Sequence, residues 1–219
     1  MKKLLLPLLV SAVFAPALFA EDVALVSLRV AKEKNVRQFA IEFAEGDAPQ
    51  TVENFKKLAR KGFYKGTTIH RAFAHTLVQM GDPLSKKKDR SAVGTGGPGY
   101  TLAPEIRRKH AKGAVAAARL PDKLNPSRVS IGSQFYVCLA PMPSYDGQYT
   151  VFGRVIWGLD TLDLISAKPV DSNDNPVERI EIRSVKVMDR EKLPAPPRPE
   201  KPGAEAPKAD KKPWWKILG

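Results

Sequence analysis

The chain has 219 residues, of which 43% are apolar and 27% charged, as in a folded globular domain. Its net charge of +13 permits an anionic partner, but no aromatic-interleaved basic platform or recognition helix accompanies it, so nucleic-acid binding is not expected. One cysteine excludes an internal disulfide framework, and three histidines offer little for a metal centre. We therefore expect no metal and no cofactor, and a monomer.

Residues 1–20 have the pattern of a secretory signal peptide. Lys2 and Lys3 precede a short apolar stretch that ends in small residues. An uncleaved anchor helix is the alternative, but Pro7 and Pro16 interrupt it, and no apolar run reaches the roughly 20 residues that span a bilayer. The pattern predicts export with cleavage after residue 20, to the bacterial periplasm.

A folded domain is predicted over residues 21–192. Apolar and polar residues alternate over 25–30 and again over 39–43, which predicts two strands joined by a hairpin turn. Pro49 then begins a helical pattern that ends at Gly62.

The rest of this domain is dominated by strand signals. Further strands are predicted at 67–71, 77–81, 114–118, 134–139, 150–156 and 180–187, and a second helix at 158–167. Because strands and helices do not alternate, the pattern predicts a mainly β fold, a closed eight-stranded antiparallel barrel capped by two helices.

Two features with possible chemistry are better explained without it. Gly94, Gly96 and Gly99 match a dinucleotide-binding fingerprint, but no strand precedes them and no helix follows. Cys138 lies inside an apolar strand, where packing is its expected role. Neither feature predicts a cofactor or a nucleophile.

Seven short motifs follow one another between residues 47 and 186. They are Pro49-x-Thr51-Val52-x-Asn54-Phe55, Phe63-Tyr64-x-Gly66-Thr67, Ile69-His70-Arg71, Gln79-Met80-Gly81-Asp82, Gly94-Thr95-Gly96-Gly97, Gly132-Ser133-Gln134-Phe135-Tyr136 and Asp146-Gly147-x-Tyr149-Thr150-Val151-Phe152-Gly153. In this order they resemble the cyclophilin-type peptidyl-prolyl cis–trans isomerases. The segment 114–133 is similar to the bacterial branch of that family.

The resemblance implies a non-covalent reaction. Rotation about an X–Pro bond is opposed by a barrier of about 18–20 kcal/mol, because amide resonance must be broken. A dry groove that holds proline, with donors matched to the twisted amide, lowers this barrier. By resemblance Arg71 is the catalytic residue, whose guanidinium donates toward the prolyl nitrogen as that nitrogen loses conjugation.

The resemblance also implies a substrate-binding groove beside the catalytic arginine. Its expected members are Leu77, Gln79, Ala118, Arg119, Gln134, Tyr136, Tyr145 and Tyr149. Tyr136 would form the floor of the proline pocket, and the main chain at Ala118 and Arg119 would contact substrate backbone. Thr76 departs from the family, which usually has phenylalanine there, so weaker binding of proline is expected unless another side chain fills the space.

Two functions are compatible with these residues. The first is an exported isomerase acting on X–Pro bonds of unfolded or newly exported polypeptides. The alternative is a cyclophilin-fold module that binds proline-containing partners, or acts as a chaperone, with little turnover.

Residues 193–219, rich in Pro, Lys and Ala, predict a disordered tail. Its end carries Trp214 and Trp215, so weak contact with a membrane or partner is an open alternative to a solvated end.

Overall fold

The computed structural model describes residues 21–196. Within this range the elements, in chain order, are β1 (Asp22–Val30), β2 (Val36–Phe43), α1 (Pro49–Arg60), β3 (Ile69–Phe73), β4 (Leu77–Met80), β5 (Ala114–Ala117), β6 (Phe135–Cys138), β7 (Val151–Trp157), α2 (Leu159–Ser166) and β8 (Ile180–Asp189). Short 3-10 helices follow β4, β6 and β8. The predicted signal peptide and the predicted tail beyond residue 196 lie outside the described residues.

The eight strands of the described region form one antiparallel sheet in the order β3-β4-β6-β5-β7-β2-β1-β8. Shifts in register interrupt the pairing of β1 with β8, β2 with β7 and β5 with β7. Irregularities of this kind increase local twist and bend the strands, and here the sheet curls around a core. The mainly β fold with two helices is confirmed.

The prediction of a closed barrel is wrong, because the curled sheet stays open. The segment just before β3 contacts β8 through one bridge, between Thr68 and Glu181, and through backbone hydrogen bonds of Gly66 and Thr67 to Ile182. This pairing does not continue along β3. The outward backbone groups near β3 have other partners. The amide of Thr68 donates to Ser85 Oγ (2.9 Å), and the amide of Ala72 donates to the carbonyl of Asp174 (2.9 Å). These long-range contacts take the hydrogen bonds that a continuous ladder would need.

The inner face of the sheet packs on a core in which Phe55 of α1 is central. Its ring lies 5.1 to 5.7 Å, between centroids, from the rings of Phe43, Tyr64, Phe135 and Phe152. Burial of a side chain of this size contributes roughly 1.5–3 kcal/mol. Within residues 21–196, neither helix has the length and hydropathy needed to cross a bilayer.

The N-terminus of α1 is capped by a residue that lies far away in sequence. Ala48, at the N-cap position, offers no side-chain acceptor. Instead, the carboxylate of buried Glu105 accepts from the amides of Gln50 (3.1 Å) and Thr51 (2.9 Å) and from the Thr51 hydroxyl (2.8 Å). The negative charge also complements the positive end of the helix dipole.

A second apolar cluster lies on the outer face of the sheet. Successive side chains of a strand point to opposite faces, so Phe135 and Val137 of β6 enter the core while Tyr136 and Cys138 face outward. Leu77 of β4 joins this outer cluster. The groove described below lies on this outer face.

Candidate active site

A groove of about 840 Å³ crosses the outer face of the sheet. Eight of the nine site residues expected from the sequence line it, namely Arg71, Leu77, Gln79, Ala118, Arg119, Tyr136, Tyr145 and Tyr149. Gln134, the ninth, is not at the groove surface; it is only 2% exposed and lies behind Gln79. The structure therefore brings all nine residues into one neighbourhood.

Arg71 lies on edge strand β3, directly opposite Gln79 of β4. Its side chain is only 25% exposed, and its Nε lies 3.7 Å from Asp174 Oδ2. The guanidinium carbon is 4.9 Å from the centroid of the Phe73 ring, within range of a cation–π interaction. The cation is thus held between a carboxylate and an aromatic ring at the wall of the groove.

Gln134 links the groove to the glycine-rich loop. Gln79 Nε2 donates to Gln134 Oε1 (2.9 Å), and Gln134 Nε2 donates to the carbonyls of Gly94 (2.9 Å) and Gly96 (2.7 Å). Asp82 accepts from the Gly96 amide (3.1 Å), and a Cβ on Gly96 would clash with its carboxylate. The glycines that resemble a dinucleotide fingerprint therefore form a loop that holds the glutamine pair in place.

A hydrogen-bonded chain runs from the floor of the groove at Tyr136, through buried His110, to the partly exposed Asp146. His110 Nε2 lies 3.0 Å from the Tyr136 hydroxyl, and His110 Nδ1 lies 3.1 Å from Asp146 Oδ1. Because an ionised carboxylate only accepts, Nδ1 carries the proton and Nε2 accepts from the phenol. Burial lowers the pKa of His110, which favours this neutral form. His110 was not among the predicted site residues, since nothing near it in sequence marks it.

The side chain of Arg119 forms part of the wall beside Tyr149. Its guanidinium carbon is 4.4 Å from the centroid of the Tyr149 ring, its Nε donates to the Gln148 carbonyl (2.9 Å), and its Nη1 pairs with Asp122 (2.5 Å). Only 3% of this side chain is exposed. The resemblance implied a main-chain role at this position, and the structure adds a packing role for the side chain.

Tyr145 completes this wall. Its ring centroid is 4.8 Å from that of Tyr149. Burial raises the pKa of Tyr145 to about 12 and also raises the pKa of Tyr149. Both phenols therefore stay neutral near pH 7, and the wall presents uncharged aromatic surface beside Arg71.

Phe73 lies at the groove wall near the place where the sequence analysis expected a missing aromatic. Thr76 does not line the groove, and its hydroxyl donates to the Ala74 carbonyl (3.0 Å) in the turn between β3 and β4. Phe73, paired with Leu77 across that hairpin, lines the groove and packs on the outer cluster. Phe73 was not predicted as a groove residue, because the family pattern places its aromatic side chain at position 76.

Two buried titratable groups lie close to the groove. Burial raises the pKa of the Cys138 thiol to about 12, so it stays protonated, as expected for a packing residue. Burial lowers the pKa of His70 to about 4, which leaves its imidazole neutral. Among residues 21–196, no group of three or more His, Cys, Asp or Glu side chains is arranged to hold a metal ion.

Comparison with known proteins agrees with this geometry. The model of the family "Cyclophilin type peptidyl-prolyl cis-trans isomerase/CLD" matches residues 27–187. A peptidyl-prolyl cis-trans isomerase of Arabidopsis thaliana is 32% identical over 165 residues, which cover 73% of this chain and 93% of the relative. One from Helicobacter pylori is 38% identical over 136 residues, or 60% of this chain and 76% of the relative.

Solved structures show the same fold. The crystal structure of a cyclophilin type peptidyl-prolyl cis-trans isomerase of Cryptosporidium parvum matches with a TM-score of 0.64 and 24% identity, over 78% of this chain and 98% of that one. A second structure of that protein, in the presence of the dipeptide Ala-Pro, gives a TM-score of 0.62 at 25% identity, over 76% of this chain and 99% of that one. With the groove, the family match and these relatives in agreement, the chain belongs to the cyclophilin-type peptidyl-prolyl cis–trans isomerases.

Proposed function

We propose that the isomerase acts on X–Pro bonds of exported or unfolded polypeptides, and that Arg71 is its catalytic residue. This proposal rests on one observation: a permanently charged guanidinium and an aromatic pocket line the same groove. The pocket is built from Phe73, Tyr136, Tyr145 and Tyr149. Such a pocket suits the apolar prolyl ring, and the cation suits the adjoining amide.

In the proposed reaction no covalent bond forms or breaks. Tyr136 and its aromatic neighbours hold the prolyl ring, while Gln79 and the main chain at Ala118 bind substrate backbone. As the amide twists, its nitrogen becomes pyramidal and its lone pair, no longer conjugated with the carbonyl, becomes localised on nitrogen, where Arg71 donates a hydrogen bond to it. An interaction that strengthens only in the twisted state lowers the barrier, and one preorganised donor of this type is worth about 10²–10³ in rate.

The cis-to-trans rate of a short Ala-Pro peptide tests this assignment. We expect the purified protein to accelerate isomerisation, and Arg71→Ala to lower kcat/KM at least 100-fold. Arg154→Ala is the matched control, because Arg154 is also paired with a carboxylate, Glu42, but lies outside the groove. If Arg71→Ala and Arg154→Ala behave alike, Arg71 is not the catalytic residue. A folded protein that binds the peptide without accelerating it is the proline-binding or chaperone module instead.

Export to the periplasm forms part of the same proposal and is supported by the pattern of residues 1–20. We expect the mature protein in the periplasmic fraction, with an N-terminal sequence that starts at Glu21. Recovery of the intact N-terminus in the cytosol contradicts this. Flotation with anionic vesicles of the protein with and without residues 193–219 tests whether its tail contacts a membrane. Equal flotation removes that role.

A further inference from the structure

A short loop between α2 and β8, residues 171–175, lies along the outer edge of β3 and brings a carboxylate to the catalytic arginine. The carbonyl of Asp174 accepts from the amide of Ala72 (2.9 Å), the residue that follows Arg71. The side chain of the same residue places Oδ2 3.7 Å from Arg71 Nε. Backbone and side chain of Asp174 therefore bind neighbouring positions of β3.

The loop is braced internally, so the carboxylate has a defined position. Asp171 Oδ1 accepts from the amides of Asn173 (2.9 Å) and Asn175 (3.1 Å), and the Asp171 amide donates to the Asn175 carbonyl (2.8 Å). The amide of Asp174 donates to the Asp171 carbonyl (3.1 Å), and its φ of 60° lies in the left-handed region, which Asp and Asn adopt more readily than most residues. The turn thus directs this one side chain toward β3.

We propose that Asp174 is the positioning residue of the isomerase, holding the Nε edge of Arg71 so that the two terminal nitrogens remain available to the substrate amide. This inference rests on the catalytic role proposed above for Arg71. A long arginine side chain has many rotamers, and a fixed planar guanidinium loses less freedom when it forms its hydrogen bond in the twisted state. The Phe73 ring lies against the same group, and the Asp174 carboxylate, 3.7 Å from Nε, attracts that edge of it.

We expect loss of the Asp174 carboxylate to lower kcat rather than to destabilise the fold. The side chains of Arg71 and Asp174 are each about one quarter exposed, and ion pairs with this exposure add little to the free energy of unfolding. Misorientation of the donor, by contrast, weakens an interaction made in the transition state, which lowers kcat more than it raises KM. This split separates a positioning role from a merely structural one.

Asp174→Asn tests the proposal, because Asn keeps the size and tolerates the positive φ. We expect kcat to fall about five- to tenfold, KM to change less than twofold, and the thermal midpoint to stay within a few degrees. Asp163→Asn is the charge-matched control, since Asp163 pairs with the exposed His75 outside the groove, and it is expected to stay within 1.5-fold of wild type. Asp174→Gly, which also suits the backbone, is expected to repeat the loss.

A combination with Arg71→Ala separates this proposal from the one on which it rests. In the Arg71→Ala background, Asp174→Asn is expected to change the residual rate less than twofold. An unchanged kcat in Asp174→Asn alone, or an equal loss in both backgrounds, overturns the positioning role while the catalytic role of Arg71 stands. A wild-type rate in Arg71→Ala overturns both.

Discussion

The hydroxyl of Tyr136 donates across 3.0 Å to Nε2 of His110, a buried residue that does not itself line the groove. The polar atom of the pocket floor thereby finds its partner inside the protein. In the proposed binding mode, the prolyl ring packs on the apolar part of the phenol. Asp146, which accepts from the ring and the backbone of His110, holds this arrangement from outside.

The first prediction concerns this hydrogen bond. His110→Leu leaves the Tyr136 hydroxyl buried without its partner and is expected to lower the free energy of unfolding by about 1–3 kcal/mol. Tyr136→Phe in the same chain removes the unsatisfied hydroxyl, so the double variant is expected to regain most of that loss. Urea unfolding of the two single variants and the double variant measures the coupling. Strictly additive losses contradict it.

The aromatic wall gives the second prediction. Phe73→Ala is expected to raise KM for an Ala-Pro peptide about tenfold, because the groove loses a ring that also supports the Arg71 guanidinium. Thr76→Ala, in the same hairpin but outside the groove, is expected to change KM less than twofold. A larger effect at Thr76 than at Phe73 contradicts the assignment of the wall.

His70 makes stability depend on pH. Its pKa is lowered from 6.5 to about 4 in the folded protein, since burial disfavours the charged ring. Between these two pH values the unfolded chain binds a proton at His70 that the folded protein does not. The contribution of His70 to the free energy of unfolding is therefore complete above pH 6.5 and is lost as the pH falls toward 4. The loss amounts to about 3 kcal/mol.

The contribution of His70 can be isolated by comparison with His70→Leu. Unfolding free energies of both proteins, measured from pH 7 to pH 4, are expected to diverge, with the wild type losing more. Carboxylates with lowered pKa values, such as Glu33 and Glu42, are common to both and cancel. Parallel curves contradict the prediction.

The fourth prediction concerns the cap of α1. Glu105→Gln replaces one accepting oxygen by a donor and removes the charge at the positive end of the helix, with an expected loss of about 1–3 kcal/mol in unfolding free energy. Glu53→Gln, on the exposed face of the same helix, is expected to stay within about 0.5 kcal/mol of wild type. Chemical denaturation measures both. Equal effects contradict the capping role.

Local patterns in the sequence were sufficient for the strands, and the resemblance to the cyclophilin family implied most of the groove. Alternating apolar residues gave β1 and β2, and the motif that contains Arg71 placed the central cation. Apart from Phe73, which lies in the same hairpin as Thr76, the residues that were not predicted depend on partners that lie far away in the chain. Glu105 reaches Thr51 across 54 residues, His110 reaches Tyr136 across 26, and Asp174 reaches Arg71 from another loop. No periodicity records such pairings.

The closed barrel was mispredicted for a similar reason. Eight strands with strong alternation fit a closed barrel as well as an open sheet. Closure depends on which groups hydrogen-bond to the free edges of the two outer strands. Ser85 and Asp174 take the amides near β3, and neither residue signals this in its own neighbourhood. The packing of each strand can be predicted locally, but the termination of the sheet cannot.

The hydrogen bonds made at the edges of these outer strands determine whether another polypeptide can pair with them. A free strand edge invites an extended chain to add by backbone pairing, and this leads toward aggregation. Here the Ala72 amide is taken by Asp174, and the amide and carbonyl of Ile182 on β8 are taken by Thr67 and Gly66. An extended substrate therefore finds no open ladder at these positions to extend. The same occupied groups are also closed to backbone pairing with the strand edge of another chain, which limits edge-to-edge aggregation at these positions.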